Sequence, residues 1–379
     1  MVVGHDQNSS SPYESIYIYK WDGSDWIFHQ KIEYPLMATN GWSGFGRHVA
    51  MSGDTIAVAD NESYIDGLKG SVYIYRLDTS DNDTWKQEQR IVNTASTGNW
   101  YGDFLSLEGD TLVVPSLNEN SNRGAIYIYD RICSSGTCSF ELTQNFSGEN
   151  AGDVFGAYAS LSGNSLFISV RDVDIDGISN TGQVSYYTRT QAGGQWTLQQ
   201  SFTPSNVVAE DRFGEIMAFD GTTLFVPTWR RVVDGVWGVG YGWIYELNQS
   251  TGEWEVTQEL ENPSGATGGI YYGAWKPSVR GDTLVIPSTA GIDVWKKIDG
   301  SWALQKVIPK SEGCHITAFH DDSLAVGCTA TDGSKGAVYY LTCPDAFTAA
   351  AADGGSAAAS GGKCIHFYFQ SHHVTCPRP

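Results

Sequence analysis

Positive charge and long apolar runs are both scarce in this sequence, and each shortage argues against a class of partner. There are 23 Lys and Arg residues against 43 Asp and Glu residues, a formal net charge of −20. This balance argues against nucleic acid and anionic membranes, because phosphates attract basic surfaces. No run approaches the roughly 20 apolar residues of a transmembrane helix, so direct membrane insertion is not expected.

The familiar sequence signatures of catalysis and of helices are missing as well. The sequence contains no Gly-x-Ser-x-Gly elbow, no His-Glu-x-x-His helix and no P-loop, so no motif assigns a reaction. Helical periodicity is also absent, which favours an all-β chain. The 41% hydrophobic and 13% aromatic content is ample for a large core.

One phrase recurs along the chain, at intervals of about 54–60 residues between the first five copies and of about 40 residues before the last. It consists of an apolar segment, a tight turn containing Gly-Asp or a close variant, and a second apolar segment. Gly followed by Asp or Asn between apolar runs predicts a β-hairpin, because these residues accept positive φ at low cost. The copies are centred on Gly53, Gly109, Gly163, Gly221 and Gly281, with a degraded copy at Asp321 and Asp322.

Two further strand-like segments complete each repeat. The third alternates with a period of two, as in 70–75 and 124–129, which places alternate side chains on opposite faces of a strand. Four short antiparallel strands per repeat predict a β-propeller, whereas a β-sandwich would not reuse one four-strand phrase. The fourth segment begins with an aromatic residue, at Trp26, Trp85, Phe140, Trp196, Trp254 and Trp302.

The two ends of the chain decide the predicted number of blades. Together they bring about six partial strands, too many for one four-stranded blade. A seven-bladed β-propeller of four-stranded antiparallel blades is therefore predicted, N-terminally truncated inside its first blade. The matching segments are 2–4, 15–19 and 26–32 at one end, and 315–319, 324–327 and 337–341 at the other.

Aromatic-glycine pairs stand just before the turn phrase, and Val-Gly or apolar-proline pairs stand just after it. This pairing resembles the FG-GAP repeat, the unit of the integrin α-subunit N-terminal propeller. The resemblance implies an extracellular seven-bladed propeller working in adhesion or ligand binding. The pairs are Phe45-Gly46, Tyr101-Gly102, Phe155-Gly156, Phe213-Gly214 and Tyr272-Gly273, then Val3-Gly4, Val114-Pro115, Val226-Pro227 and Ile286-Pro287.

The calcium sites of that family are not carried over to this chain. Many FG-GAP repeats have an Asp-rich loop between strands one and two, but here it has shrunk to Ser52-Gly53-Asp54 and its equivalents. A two-residue turn cannot offer the six to eight oxygens that calcium binds. The same position explains Arg280-Gly281-Asp282, which we interpret as another copy of the turn rather than as an adhesion tripeptide.

The predicted domain organisation has three parts. Residues 1–345 form the FG-GAP-type propeller, 346–362 form an Ala/Gly/Ser-rich linker, and 363–379 form a Cys- and His-containing C-terminal tail. The strand-like segment 364–370 either supplies the missing fourth strand of the last blade or belongs to a disordered tail.

Cysteines and glycosylation sequons favour an extracellular, secreted or cell-surface location. Cys133 and Cys138 flank a predicted hairpin turn, where facing strand positions meet disulfide geometry. Zinc is the weaker interpretation of this pair, because no second ligand pair lies nearby in the sequence. Five N-x-S/T sequons add to the extracellular interpretation, at Asn8, Asn61, Asn82, Asn145 and Asn248.

Loops between strands two and three share one face with the inter-blade connections, and variable loops on a rigid scaffold are where binding usually occurs. Asp172, Asp174 and Asp176 precede Gly177 like the start of a calcium loop. Gln183 replaces the acid expected at position twelve, so calcium and a solvated acidic loop both remain open. The predicted ligand-binding residues are Asp60, Glu62, Tyr64 and Asp66 in one loop, and Trp229, Arg230, Arg231 and Trp237 in another.

The predicted function is that of a non-enzymatic propeller that binds an extracellular protein or glycan. Exposed Trp and Arg are typical anchors of interfaces, although Trp packed between blades is the alternative, since Trp is usually largely buried. A secreted carbohydrate-active enzyme, a lyase or a glycosidase, is the alternative function. We interpret His48 and His315 in the first-strand segments as structural. A cluster of His, Tyr and Arg or of paired carboxylates at the mouth of the propeller's channel would favour the enzyme.

Overall fold

The chain is all-β, as predicted, and its strands form antiparallel sheets. A computed structural model describes residues 1–5, 14–23, 26–35, 44–65, 68–93, 100–263, 269, 271–309, 314–320, 323–328, 337–342 and 365–366. In these residues there are one three-stranded and six four-stranded sheets, which confirms the four-stranded antiparallel repeat. No helix among them is long and apolar enough to cross a membrane.

The sheets follow one another along the sequence, each built from consecutive strands. The segment α1 (Glu119–Asn122) is a single turn in which Asn120 and Ser121 have left-handed φ values of +49° and +64°. The strands are β1 Val2–His5, β2 Ser15–Trp21 and β3 Trp26–Glu33; β4 Val49–Ser52, β5 Thr55–Ile65, β6 Leu68–Asp78 and β7 Thr84–Val92; β8 Ser106–Glu108, β9 Thr111–Ser116, β10 Ala125–Ser134 and β11 Thr137–Ser147; β12 Phe155–Ser162, β13 Ser165–Val170, β14 Gln183–Thr188 and β15 Thr197–Phe202; β16 Ala218–Phe219, β17 Thr223–Thr228, β18 Tyr241–Leu247 and β19 Trp254–Glu261; β20 Ser278–Arg280, β21 Thr283–Pro287, β22 Gly291–Ile298 and β23 Ser301–Pro309; β24 Cys314–His320, β25 Ser323–Cys328, β26 Ala337–Thr342 and β27 Ile365–His366.

The chain divides into two compact units, Met1–Glu215 and Ile216–Pro379. Of the C-terminal tail, the structure describes β27, which pairs antiparallel with β26 through Tyr339–His366 and Tyr340–Ile365. This pairing is the docked fourth strand, one of the two interpretations left open by the sequence. The rest of the predicted linker and tail lies outside the described residues.

The recurring turn phrase joins the first two strands of its repeat, as predicted, and also links neighbouring sheets. The Gly109 N–H donates to Ser52 Oγ at 2.9 Å, and the Gly163 N–H donates to Glu108 Oε2 at 2.9 Å. In the second unit, the Gly281 N–H donates to Asp220 Oδ2 at 2.7 Å. Gly281 is therefore a turn residue with a hydrogen bond to the preceding repeat, as the hairpin interpretation requires.

A recurring glutamine binds the backbone of the next sheet's fourth strand. Gln30 Nε2 donates to the Trp85 carbonyl at 3.0 Å, and the Trp85 N–H donates back to Gln30 Oε1 at 2.7 Å. These reciprocal bonds tie the aromatic start of one fourth strand to the middle of the previous one. The same pairing joins Gln89 to Phe140, Gln144 to Trp196, and Gln258 to Trp302.

Apolar cores lie between consecutive sheets, and the aromatic-glycine pairs complete them. The Tyr101 side chain is fully buried in a cluster that includes Val72 and Ile74 of β6 and Leu112 of β9. Burial of such side chains stabilises the fold by about 1.5–3 kcal/mol each. The glycine that opens a third strand leaves room for the next repeat's pair: a Cβ on Gly124 would lie 2.0 Å from the carbonyl oxygen of Phe155.

Candidate functional site

A polar pair forms where the first strands of two consecutive sheets meet. His48 lies just before β4 and Asp103 lies just before β8, and His48 Nε2 is 2.9 Å from Asp103 Oδ1. Asn61, in β5, donates from Nδ2 to the same oxygen at 2.6 Å. The Asp103 side chain is 6% exposed and that of His48 is 18% exposed, so solvent reaches the imidazole while the carboxylate is buried.

Aromatic rings from the next two repeats, at the position equivalent to His48, extend the group. The Phe104 ring lies 4.7 Å from the His48 ring and 5.2 Å from the Tyr158 ring, measured between centroids. His48, Phe104 and Tyr158 each stand three residues after the aromatic residue of a Phe-Gly or Tyr-Gly pair. Because the repeats pack in register, equivalent positions of consecutive repeats come together. Burial raises the pKa of the Tyr158 phenol well above its ordinary value, so it stays protonated.

The backbone at Phe104 is in an unusual conformation for a side chain of this size. Its φ is +50°, in the left-handed region that costs a non-glycine residue on the order of 1–3 kcal/mol. Backbone strain of this kind concentrates at functional sites, where the surrounding structure holds it. At Phe104 it accompanies the contact of the ring with His48.

A partly exposed ion pair involves the residue that precedes His48 in the sequence. Arg47 Nη1 is 2.7 Å from Glu62 Oε1, and the two side chains are 40% and 31% exposed. Arg47 precedes His48 and Glu62 follows Asn61, so both flank the polar pair in sequence. Glu62, a predicted ligand-binding residue, is thus next in sequence to Asn61, whereas sequence reasoning missed the contacts of Asp103 with His48 and Asn61.

Sequence patterns assigned Asp60 and the residues after it to a loop, but this prediction is wrong as far as Ile65, because the segment belongs to strand β5. Asp60 is fully buried and does not belong to an exposed loop surface. The side chains of Tyr64 and Asp66 lie outside the described residues. Asn61, which begins a sequon, is fully buried and bonded to Asp103, so this sequon is not accessible for glycosylation in the folded chain.

The predicted calcium residues bind protein groups instead of converging. Asp172 Oδ2 accepts from Arg171 Nη2 at 2.8 Å, and Asp172 Oδ1 lies 2.8 Å from Arg212 Nε. Asp174 Oδ1 accepts the Asn180 N–H at 2.8 Å. In the described part of the chain, no group of three or more His, Cys, Asp or Glu residues is placed to hold a metal.

Asp176 is a turn residue in this loop. Ile175 and Ile178 exchange backbone hydrogen bonds of 3.2 and 2.9 Å, and Asp176 and Gly177 between them have φ values of +53° and +80°. This is an Asp-Gly hairpin turn of the kind that needs positive φ at both positions. The three carboxylates do not fit a calcium ion in this arrangement, and calcium binding stays a prediction.

The second predicted ligand loop splits into an exposed and a buried part. The rings of Trp229, Trp237 and Tyr271 form a triangle with all centroids 5.5 Å apart, and Trp237 is 47% exposed. Arg230 stacks on Trp229 at 4.1 Å. Arg231 is only 8% exposed, with its guanidinium over the ring of Tyr241 at 4.8 Å and that of Trp243 at 5.3 Å. Arg231 is therefore a packed residue and not part of the exposed surface.

Solved structures with the same fold are found in proteins of several kinds. The chain is similar to the periplasmic gluconolactonase of Pseudomonas aeruginosa, with 15% identity, a TM-score of 0.58, and 90% of this chain and 92% of that chain covered. It is similar to a candidate 6-phosphogluconolactonase of Bacteroides fragilis (12%, 0.58, 90% and 90%). It is also similar to a hypothetical selenium-binding protein of Sulfolobus tokodaii (11%, 0.56, 91% and 87%). No protein-family model matches the sequence, and comparison with curated proteins finds no match.

These structures correct the predicted function. A non-enzymatic adhesion or ligand-binding propeller was expected, but the similar solved structures include proteins named as lactonases, and the alternative prediction of a carbohydrate-active enzyme fits them better. The sequence misled because His48 stands next to a first-strand segment, where a structural role was expected, and its carboxylate partner lies in another repeat.

The location prediction is supported at a coarser level. Cys133 and Cys138 face each other across β10 and β11 and form the predicted disulfide. Disulfides persist in oxidising compartments, and one of the similar structures is a periplasmic protein. Both observations favour a secreted or periplasmic protein.

The fold is of the β-propeller kind. The similarities to solved structures, at 15% identity or less, show the fold alone.

Proposed function

We propose that the protein hydrolyses the cyclic ester of a sugar acid, with His48 and Asp103 as its catalytic pair. The observation that carries the proposal is the 2.9 Å contact between the partly exposed His48 imidazole and the buried Asp103 carboxylate. A histidine oriented by a carboxylate is the standard arrangement of a general base. The substrate class is taken from the lactonases that share the fold.

The proposed reaction adds one water to the lactone. His48 Nδ1, the ring nitrogen opposite the Asp103 contact, takes a proton from water as the water oxygen attacks the ester carbonyl. Asp103 holds the ring and stabilises the imidazolium that forms. As the tetrahedral intermediate collapses, the carbon–oxygen bond of the ring breaks and His48 returns its proton to the departing alkoxide. The product is the open-chain hydroxy acid.

Neighbouring residues support this chemistry in separate roles. We assign to Arg47, which precedes His48 in the sequence and pairs with Glu62, the role of stabilising the oxyanion of the intermediate. Asn61 holds the Asp103 oxygen that also binds His48. Phe104 packs on the imidazole and restricts the ring to one orientation. Glu62 holds Arg47 in the absence of substrate.

The alternative of a glycosidase is less well supported by the same contacts. Glycoside hydrolysis needs two carboxyl groups flanking the scissile bond. In this cluster Asp103 is bonded to His48 and Asn61, and Glu62 is paired with Arg47. A lyase remains the nearer alternative, because it needs a base such as His48 and a protonated acid such as Tyr158.

We propose further that the sheets are blades of a seven-bladed propeller in which the β1–β3 sheet is the incomplete one. The count of sheets supports this, as does the repeat in the sequence. FG-GAP-type ancestry is proposed on the recurring aromatic-glycine pairs alone. Secretion beyond the cell is proposed on the Cys133–Cys138 disulfide.

Hydrolysis of glucono-δ-lactone, followed by pH-stat titration and corrected for the uncatalysed rate, tests the function. His48→Gln is expected to lower kcat/KM by about 10²–10⁴-fold, the usual contribution of a general base, with an unchanged melting temperature. His29→Gln is the matched control, because His29 also uses Nε2 in a contact, 2.7 Å from the Asp83 carbonyl oxygen. Wild-type protein no faster than the uncatalysed reaction, or full activity in His48→Gln, would overturn the proposal. Unsaturated products from an acidic polysaccharide would identify a lyase instead.

A further inference from the structure

The loop between β17 and β18 holds one tryptophan rigidly while leaving half of it in solvent. Trp237 packs edge-to-face against Trp229 and Tyr271, with interplanar angles of 83° and 79°. It still keeps 47% of its surface exposed, and the nearby Val232 keeps 44%. Exposure of a tryptophan to this extent is unusual, because tryptophan side chains are highly buried on average.

The backbone that carries Trp237 is fixed on both sides of the ring. Val233 and Val236 exchange hydrogen bonds of 3.0 and 2.9 Å around an Asp-Gly turn. The Trp237 carbonyl accepts the Gly269 N–H at 3.3 Å, and the Gly238 carbonyl accepts the Tyr271 N–H at 3.1 Å. The ring is therefore preorganised, and a ligand stacking on it would lose little further conformational entropy.

An equivalent loop shows that the aromatic residues are not needed to build this backbone. Between β13 and β14, Ser179 stands at the position of Trp237, and its carbonyl accepts the Glu210 N–H at 3.0 Å. The next carbonyl, of Asn180, accepts the Arg212 N–H at 3.0 Å. The backbone bonds are the same without any aromatic side chain, so folding of the loop does not explain the exposed ring.

We propose that Trp237 is the centre of a carbohydrate-binding site, in which the exposed face of the indole stacks on the C–H face of a pyranose ring. Sugar rings present flat apolar faces bordered by hydroxyl groups, which match a flat ring bordered by polar groups. The Arg230 guanidinium, stacked on Trp229 at 4.1 Å, lies in the same aromatic cluster and offers hydrogen-bond donors for sugar oxygens. This site is additional to the proposed hydrolysis and does not depend on it.

The small exposed apolar area favours a sugar over a protein partner. In the described part of the loop, Val232 and Trp237 are the large apolar side chains that remain exposed. A stable protein interface buries on the order of 1,000 Å² or more, far beyond what two half-exposed side chains provide. One or two sugar rings need only the area of an indole face.

Isothermal titration with cellohexaose tests the site, using the full chain with His48→Gln so that catalysis does not interfere. Trp237→Ser, which copies the residue of the equivalent loop, is expected to weaken binding at least tenfold, about 1.4 kcal/mol. Trp237→Phe keeps a smaller ring and should bind with intermediate affinity. Trp21→Ser is the matched control, because Trp21 is also exposed, at 41%, and packs on another tryptophan.

The outcomes separate the possible occupants of the site. Binding that is lost in Trp237→Ser and kept in Trp21→Ser, with equal melting temperatures, supports the proposal. No binding of cellohexaose by the parent protein, or equal binding by Trp237→Ser, overturns it. Self-association in sedimentation experiments that Trp237→Ser abolishes would assign the ring to a contact between copies of this chain and would also overturn it. A failed lactonase assay leaves this result unaffected.

Discussion

The loops 171–182 and 229–240 have the same backbone and opposite side-chain chemistry. Both contain an Asp-Gly turn, with φ of +53° and +80° in one and +50° and +77° in the other. In the first loop, the Asp172 carboxylate lies between two arginines, whereas in the second two tryptophans pack edge-to-face with Tyr271. Backbone hydrogen bonds therefore fix the loop, and its side chains are available for different functions in different repeats.

A large loss of stability is expected from substituting the glycine that ends each loop, because both loops need it. Gly182 and Gly240 have φ of +80° and +82°, and a Cβ would lie 2.3 Å from the Phe213 carbonyl oxygen and 2.4 Å from Tyr272 Cβ. Alanine at either position should lower the free energy of unfolding by at least about 2 kcal/mol, the sum of positive-φ strain and a clash. Urea denaturation measures both losses.

Gly252→Ala separates the two causes. Gly252 has a φ of +76°, but a Cβ there meets nothing within 4 Å, so only about 1–2 kcal/mol of conformational strain is expected. If Gly182→Ala and Gly240→Ala cost no more than Gly252→Ala, the close approach between repeats is not what fixes these loops.

A buried aspartate at a strand position that is aromatic in other sheets is expected to make the stability of the protein depend on pH. Asp293 pairs with Ile286 at the register position that Tyr73, Tyr127 and Trp243 hold in their own sheets. Burial raises the pKa of Asp293 to about 7. Because the folded state then holds the proton more tightly than the unfolded state, the free energy of unfolding should fall as pH rises from about 4 to about 7. The expected slope in that range is about 1.4 kcal/mol for each pH unit.

Asp293→Asn removes this dependence and should therefore be more stable than the parent protein at pH 8, with little difference at pH 4. Denaturant titrations at several pH values give the difference directly. Asp234→Asn, on an exposed turn, is the control and should follow the parent protein at every pH. A difference between Asp293→Asn and the parent protein that does not vary with pH would contradict the assignment.

The smallest expected effects come from substituting equivalent side chains, Asp172 and Arg230, in the two loops. Asp172→Asn removes the charge between Arg171 and Arg212 and should cost about 1–3 kcal/mol, because two guanidinium groups lose a charged acceptor. Arg230→Asn, at the equivalent position of the other loop, should cost less, about 0.5–1 kcal/mol, the usual value of an exposed cation–π contact such as that with Trp229. Equal losses in thermal unfolding would show that the two loops depend on their side chains in the same way.

Sequence patterns predicted the repeat well because its signals are local. The Gly53-Asp54 turn and the alternation in 70–75 each depend on neighbouring residues only, and the strands β4 to β6 lie where these patterns put them. The same local signal was present at Asp176-Gly177 and Asp234-Gly235 between apolar residues. An Asp-Gly pair of this kind predicts a hairpin, so the calcium interpretation passed over a simpler one.

The candidate site could not be predicted in the same way. His48 and Asp103 belong to different repeats, and their contact depends on the register in which two sheets pack. One signal was available: His48, Phe104 and Tyr158 occupy equivalent positions of consecutive repeats, so alignment would have grouped them. The recurring Gln30, four residues after the aromatic start of its strand, was visible in the same alignment, but its partner is a backbone group that no side-chain pattern reveals.

That glutamine has a consequence for how such a chain can change during evolution. Gln89 and its equivalents bind the backbone amide and carbonyl of the next repeat. The contact therefore does not depend on the side chain of the neighbouring residue, and Phe140 accepts it as the tryptophans do. A duplicated repeat would contain both parts of this contact, the glutamine and the first residue of the fourth strand that the preceding repeat's glutamine binds. New copies can therefore join existing ones before their surfaces have adapted, and loop chemistry is free to diverge afterwards.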